Sequence, residues 1–428
     1  MVKSKTVLVV AYGGGHARMV APVITELKQR HGDALCFEVL GLTISRQVYE
    51  EYGIAYRECR EFLREEDAVA RAWGEKLAAE NHNPDSGISL EETIAYLGLS
   101  YADFIAQHGE EEAAALYAKL GRRPFMPFTL INRVFDEVQP DLVIATTSPR
   151  AEKVALLVAK DRGIPSLVIS DLMGSFAYDT VADHMTVLNR LVEERYRAMP
   201  QVQVGQYHVA GNPAMDNAAE YQGKNYSDML RSILPAEAEE KKRVLLFEQN
   251  CYFLDNPPDT PDDKKFRYPP AEERFDVLNA VAEATRKEGG VLLLRERPHE
   301  VDPVHAAWLE TQKPEGVYLL PDCPLHPLLS EMDVCLSGHS TVLLDALYMS
   351  TPIIMLKYPN DGDLLGFDLL GYAGKSDAFS AESLQIALHD ALYDETNIAA
   401  QRAAFESGMP ALPCAPKVAD VVEQILAL

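Results

Sequence analysis

Residues 5–30 read "KTVLVVAYGGGHARMVAPVITELKQR". The apolar run at 7–10 is continuous, not alternating, and it stops at Gly13, Gly14, Gly15 and His16. An amphipathic helical pattern follows. A continuous apolar strand suits a parallel sheet covered on both faces. Strand, tight turn and helix make the first half of a βαβ unit. Glycines at such a joint permit a sharp turn, and they also let the backbone come close to a ligand.

The same rhythm recurs along the chain. In the first half, strand-like runs are "TVLVVAY" (6–12), "CFEVLGL" (36–42), "DLVIATT" (141–147), "PSLVISD" (165–171) and "HMTVLN" (184–189). A second series holds "RVLLFEQN" (243–250), "GVLLLRERP" (290–298), "GVYLLP" (316–321), "DVCLSG" (333–338) and "TPIIMLK" (351–357). Longer segments with helical periodicity lie between most of them. The connection "QVQVGQYHVAGNPAMD" ends in a Gly-Asn-Pro turn signal and reads as the linker. The expected architecture is α/β. It has two Rossmann-like parallel-sheet domains facing a cleft, 1–207 and 208–428, and the last helix is free to pack back on the first. Ligands bind at the C-terminal ends of parallel strands and in clefts between domains.

Two segments break the rhythm. Residues from about 44 to 135 are charged, Ala/Glu-rich and helical. They read as a helical insertion that covers the first sheet, or as an acceptor-recognition or membrane-facing element. The proline-rich, charged "PPDTPDDKKFRYPP" (257–270) reads as a mobile loop near a strand end.

Composition narrows the function. The 428 residues carry a formal charge of −25. That argues against nucleic acid, which wants a basic stripe, and leaves at most peripheral membrane contact. Six cysteines without CxxC or CxxH spacing argue against a disulfide framework or a zinc site. The expected setting is a reducing cytoplasm. No signal-peptide pattern is seen near the start, and no apolar run approaches the roughly 20 residues of a membrane span.

The most specific stretch is "DVCLSGHSTVLLDALYMSTPIIML" (333–356), a buried strand, a short turn and a helix. Ser337, Gly338, His339, Ser340 and Thr341 stand where the helix begins. A helix N-terminus offers free N–H groups and partial positive charge, so it suits a phosphate. A plain N-cap by Ser340 or Thr341 uses the same residues. Asp345, one turn further on, is spaced to reach a ribose. In "LLLRERPHEVDP" (292–303), Arg295, Arg297 and His299 alternate, so an extended backbone points them one way. Such a cationic cluster suits a diphosphate, although salt bridges to neighbouring acids would also account for it.

These stretches resemble the GT-B glycosyltransferase fold. It is shared by the peptidoglycan glucosaminyltransferase, lipid A disaccharide synthase and the hydrolysing sugar-nucleotide 2-epimerases. The resemblance rests on 13–27, "PDLVIAT" with "GIPSLVISD", 208–216 and 337–356, and it spans most of the chain except 44–135 and 252–270. It implies an inverting, metal-independent transferase, with no cofactor. The enzyme would move a sugar from a nucleotide-sugar, UDP first and CMP second, to a glycan, lipid-linked or protein acceptor in bacterial surface-glycoconjugate synthesis. Nucleotide and phosphate would be held by the 337–345 segment, Arg295, Arg297, His299 and the backbone at Gly14 and Gly15. The ribose residue, usually Glu in these families, is Asp345 here. Asp361 and Asp363 would bind donor-sugar hydroxyls.

The resemblance implies that His16 faces the cleft as the base, since an imidazole near its ordinary pKa of about 6.5 takes a proton from a hydroxyl. Asp171 stands at another strand end. It would orient His16, bind the acceptor, act as the base itself or merely cap a helix. Two other functions are open. One is a hydrolysing 2-epimerase or hydrolase, disfavoured because its paired glutamates are replaced by Leu344 and Asp345. The other is a non-catalytic nucleotide-binding scaffold.

Overall fold

The computed structural model describes residues 4–428 apart from 148, 172, 175, 176, 255–265, 297–300 and 363. The chain divides into two compact units, Met1–Asp216 with Pro413–Leu428, and Asn217–Leu412.

The first unit is built on six parallel strands, β1 (Lys5–Tyr12), β2 (Leu35–Leu42), β3 (Leu142–Ala145), β4 (Ser166–Ile169), β5 (Thr180–Val187) and β6 (Val202–Val209), in the order β2-β1-β3-β4-β5-β6. Its helices are α1 (Gly13–His31), α2 (Ser45–Glu51), α3 (Ala68–Asn81), α4 (Leu90–His108), α5 (Glu110–Leu120), α6 (Phe128–Val138), α7 (Ala151–Arg162) and α8 (Arg190–Arg197). Side chains of β1 alternate between two cores. Val7, Val9 and Ala11 pack among residues of α1, while Leu8 and Val10 pack among residues of α4, α6 and α7. Both faces of the strand are apolar for that reason.

The segment expected to be a linker is not one. Its residues 202–209 form β6, hydrogen-bonded along the whole of β5, so the boundary falls at Asp216 instead of 207. Alternation of Val202, Val204 and polar residues is the signal of an edge strand with one covered face. The Asp216 carboxylate then accepts from the backbone N–H groups of Cys414 and Ala415, at 2.5 and 2.7 Å.

The second unit repeats the plan. It contains α9 (Ser227–Ile233), β7 (Arg243–Phe247), a short antiparallel pair of β8 (Tyr252–Phe253) and β9 (Phe266–Arg267), α10 (Ala271–Lys287) and β10 (Val291–Leu294). There follow α11 (Pro303–Gln312), β11 (Val317–Leu319), α12 (Leu325–Ser330), β12 (Val334–Ser337), α13 (Val342–Tyr348), β13 (Ile353–Lys357), β14 (Gly374–Asp377), α14 (Ala381–Tyr393) and α15 (Glu395–Gly408). Its parallel sheet has the order β11-β10-β7-β12-β13-β14. Most of the proline-rich loop lies outside the described residues, and its end forms β9. The chain closes with α16 (Ala415–Leu426), which packs on α1 within the first unit. Among the described residues, no helix is long and apolar enough to cross a membrane.

Each strand order reverses beside the unit's first strand. From β1 the chain passes to β2 on one side and later to β3 on the other; from β7 it passes to β10 and later to β12. Helices that leave on opposite faces part there, which opens a crevice at the strand ends.

The helical insertion is held by backbone contact. A Cβ on Gly98 would lie 2.2 Å from the Ala70 carbonyl oxygen, and one on Gly74 would lie 2.2 Å from that of Ile94. Helices α3 and α4 therefore tolerate only glycine at these crossings. Gly98→Ala is expected to cost about 1–3 kcal/mol by overpacking. The chain has two tryptophans, Trp73 on α3 and Trp308 on α11. Urea unfolding followed by fluorescence of Trp73 in a Trp308→Phe background should show a lower midpoint for Gly98→Ala.

Candidate active site

The first cluster stands at the reversal point of the first sheet. Gly13 has a positive φ of 80°, a conformation glycine adopts without strain, and it starts α1 directly after β1. His16 is thereby set in the first turn. From the end of β3 come Thr146 and Thr147, and from the first turn of α7 comes Glu152. Asp171 follows β4.

Glu152 is fully buried, and one oxygen collects three contacts. It accepts from the Tyr12 backbone N–H at 2.7 Å and from Thr146 Oγ1 at 3.0 Å, and it lies 3.3 Å from His16 Nδ1. Thr146 Oγ1 also lies 2.8 Å from Nδ1. Since the threonine proton goes to Glu152, Nδ1–H donates to Thr146 Oγ1. On the other side of the ring, Nε2 is 3.2 Å from Asp171 Oδ2, and Thr147 Oγ1 donates to Asp171 Oδ1. The order is Glu152, His16, Asp171, from buried to part-exposed; the Asp171 side chain is 29% accessible and that of Glu152 is 0%.

Electrostatics follow from that order. Burial alone would lower the His16 pKa, but hydrogen bonds and charge from Asp171 and Glu152 outweigh it and push the imidazole up to about 10. Burial would raise Asp171, yet the His16 bond and charge, with Thr147, hold it below the ordinary carboxylate value. The expectation of a histidine near 6.5 is corrected: in the protein by itself it is an imidazolium. Gly14 and Gly15 lie in the helix. The space above Gly15 is open, and that above Gly14 is bounded by Ile44.

The second cluster stands at the reversal point of the other sheet. A pocket of about 70 Å³ is lined by Gln249, Asn250, Arg295, Glu296 and Ser340, over a buried ionic network. In that network Glu248 accepts from Arg274 Nε at 2.9 Å and lies 3.0 Å from His305 Nε2, while Glu296 lies 3.1 Å from His305 Nδ1. Asp302 accepts from Arg274 Nη2 at 2.6 Å. Glu248, Asp302 and His305 are close enough to share a metal ion, but the Arg274 guanidinium already supplies the positive charge among them.

Several residues expected to face a nucleotide have protein partners. Ser337 Oγ donates to the Phe247 carbonyl at 2.7 Å, which ties β12 to β7. The His339 side chain pairs with Asp361, and its backbone N–H donates to Gln249 Oε1 at 2.6 Å. Asp361 also accepts from the Tyr358 N–H, and its side chain is 4% accessible, so it holds a turn. Asp345 Oδ1 lies 2.8 Å from His326 Nε2. Arg295 donates to the Cys323 carbonyl at 2.6 Å while lining the pocket. Ser340 Oγ accepts from the Val342 N–H at 3.3 Å, one residue ahead of the Thr341 N-cap. A Cβ on Gly338 would press on Gln249 and Tyr358 at 3.0 Å. Thr341 is exposed. Arg297, His299 and Asp363 lie outside the described residues.

No family model matches the sequence, and no curated protein matches it. Solved structures do. A Staphylococcus aureus MnaA–UDP co-structure aligns at TM-score 0.59 and 13% identity, over 99% of this chain and 97% of the other. The UDP-GlcNAc 2-epimerase of Neisseria meningitidis bound to UDP-GlcNAc aligns at 0.57 and 14%, over 98% and 100%. The kitacinnamycin glycotransferase aligns at 0.51 and 13%, over 99% and 100%. The fold is GT-B. At these identities the likeness concerns the fold alone.

Glu152, Thr146 and Thr147 were not singled out in the sequence, because an acid in a first helical turn and hydroxyls after a strand read as ordinary caps. Glu248 and His305 likewise sit in unremarkable surroundings, and only the sheet order joins them.

The His16 shift has a sign. A raised pKa contributes stability that is complete below the ordinary 6.5 and fades as pH rises through about 10. Replacing His16 by Gln should therefore lower the melting temperature of the first unit near pH 6, and the gap from wild type should shrink towards pH 10. The lowered Asp171 value acts oppositely, with its contribution lost as pH falls below the ordinary carboxylate range. Melts followed by Trp73 fluorescence across pH check both.

Proposed function

We propose that the chain is a GT-B enzyme acting on a nucleotide-sugar, and that it transfers the glycosyl group to an acceptor hydroxyl with inversion. The supporting observation is the Glu152–His16–Asp171 order at the reversal point of the first sheet. An imidazolium has no lone pair to take a proton. Asp171, ionised and the outermost of the three, is the group that accepts the hydroxyl proton at its carboxylate. Glu152 and Thr146 fix the ring, and His16 holds Asp171 in place and balances its charge. The donor nucleotide belongs at the pocket of the second sheet, where Gln249, Asn250, Ser340 and the Arg295 guanidinium meet. There the charge growing on the leaving phosphate is the quantity to be stabilised. Asp345, held by His326, is not needed for ribose in this reading; Glu296 lines the same pocket with a carboxylate.

The hydrolysing 2-epimerase reading gains from the two carboxylates beside His16. It is weakened because Glu152 is fully buried, which leaves Asp171 alone to face a sugar. The bacterial surface-glycan setting remains part of the proposal through resemblance only.

A thermal-shift panel of UDP, CMP, CDP, GDP and dTDP tests the donor. A ligand at a hundredfold excess over its Kd should stabilise the fold by about 2.7 kcal/mol, equally with and without Mg²⁺. Product analysis then separates glycosyl transfer from 2-epimerisation. Asp171→Asn should lower transfer by roughly 10²-fold or more and leave the nucleotide shift intact. The rate should stay level across the ordinary histidine range around pH 6.5. A rate that rises through that range would instead make His16 the base.

A further inference from the structure

Most arginines of the first unit are ion-paired. Arg18 pairs with Glu51, Arg46 and Arg60 with Glu58, Arg64 with Glu66 and Arg71 with Glu91. Arg150 differs. It stands two residues before Glu152, at the N-cap of α7. Its guanidinium carbon lies 4.8 Å from the centre of the Tyr12 ring, and Tyr12 is the residue whose N–H holds Glu152. Among the described residues Arg150 has no ion pair, and its Nε is sealed from solvent without an acceptor.

The surroundings are unsatisfied in the same way. Buried polar atoms without a partner include Tyr96 Oη, Tyr49 Oη and the second oxygen of Glu152. Burial raises the Tyr96 hydroxyl, with Arg150 pulling it back and Glu152 raising it again, and burial followed by Glu152 raises Tyr49. Leaving a buried polar group unpaired is costly, and leaving a cation so is costlier. Native structures leave few such groups, and each asks for an explanation. In a chain of net charge −25, a guanidinium left without a carboxylate beside a reactive cluster points to an anion that arrives with the substrate. Arginine's planar fork suits carboxylate and phosphate oxygens.

We propose that Arg150 selects an acceptor that carries an acidic group, a carboxylate or a phosphate ester, near the hydroxyl that reacts. The proposal rests on the transferase reading above. Arg150 is a specificity-determining residue in it: Asp171 handles the proton, and Arg150 fixes which molecule presents the hydroxyl.

The test is calorimetric titration of the full chain with glucuronate, glucose 6-phosphate and glucose, with UDP titrated in parallel. One of the two acidic sugars should bind saturably and glucose at least tenfold more weakly. Arg150→Gln should weaken the acidic sugar by about tenfold to a hundredfold, the worth of a hydrogen bond to a charged group. Arg150→Lys should retain part of the affinity. Unaltered Trp73 fluorescence in both variants shows that the first unit is folded. The proposal is overturned if acidic sugars bind no better than glucose, or if Arg150→Gln leaves their affinity unaltered. It is also overturned if the variant weakens UDP alone, for the anion would then be the donor's phosphate. If wild type fails to bind any nucleotide while the Arg150-dependent preference holds, the nucleotide-sugar reading fails and takes the acceptor role with it, and Arg150 is left as an anion-binding residue.

Discussion

The first unit turns on one carboxylate that has no access to water. Burying a charge is expensive unless it is hydrogen-bonded and balanced, and Glu152 meets both conditions through one oxygen. The Tyr12 N–H comes from the end of β1, Thr146 from the end of β3 and the imidazolium from the first turn of α1. These are the three elements that part company where the sheet order reverses. The carboxylate fixes their separation and, through His16, the position of Asp171. Neutralising it would remove the charge that balances the imidazolium from the buried side and leave Thr146 and Asp171 to orient the ring.

The second unit solves the same problem with a different residue set. At the end of β7, Glu248 is also shut off from solvent, and its partners Arg274 and His305 come from α10 and α11. Each unit therefore plants a buried glutamate at its reversal point and surrounds it with cations. In the first unit the imidazolium stands between that glutamate and a part-exposed acid. In the second the charges close on one another, and polar groups such as Gln249 and Ser340 are left to face the pocket. The first arrangement suits proton transfer, and the second suits binding.

Much of the fold was legible in the sequence because continuous apolar strands leave few alternatives. The ten strand-like runs all correspond to sheet strands. What escaped was β6, whose polar edge reads like a linker, and β14, whose residues "GKSD" carry no strand signal. The site was legible in part. His16 and Asp171 were found at separate strand ends, but their contact depends on β1 and β4 lying on either side of β3, which no local pattern reveals. In the second unit the motif residues have partners within the protein that their spacing does not show. Ser337, His339, Asp345 and Asp361 match phosphate and sugar chemistry by type and spacing, yet the Phe247 carbonyl of β7 engages Ser337, His326 of α12 engages Asp345, and His339 and Asp361 engage each other. Hydrogen bonds to residues distant in sequence decide whether a polar group is free, and spacing cannot report that.

The carboxylate of Asp216 grips the N–H groups of Cys414 and Ala415, so the two points at which the chain leaves and re-enters the first unit are joined side by side. The second unit is thus an insertion whose ends meet. Helix α16 contributes Val418, Ala419 and Val422 to the core beneath α1, and this helix leaves the ribosome only after 217–412 have been made. Domains generally fold as units during synthesis. Here the order of synthesis and the order of completion differ: the second unit has its whole sequence first, and the half that holds His16 must wait, with part of its core open, for α16.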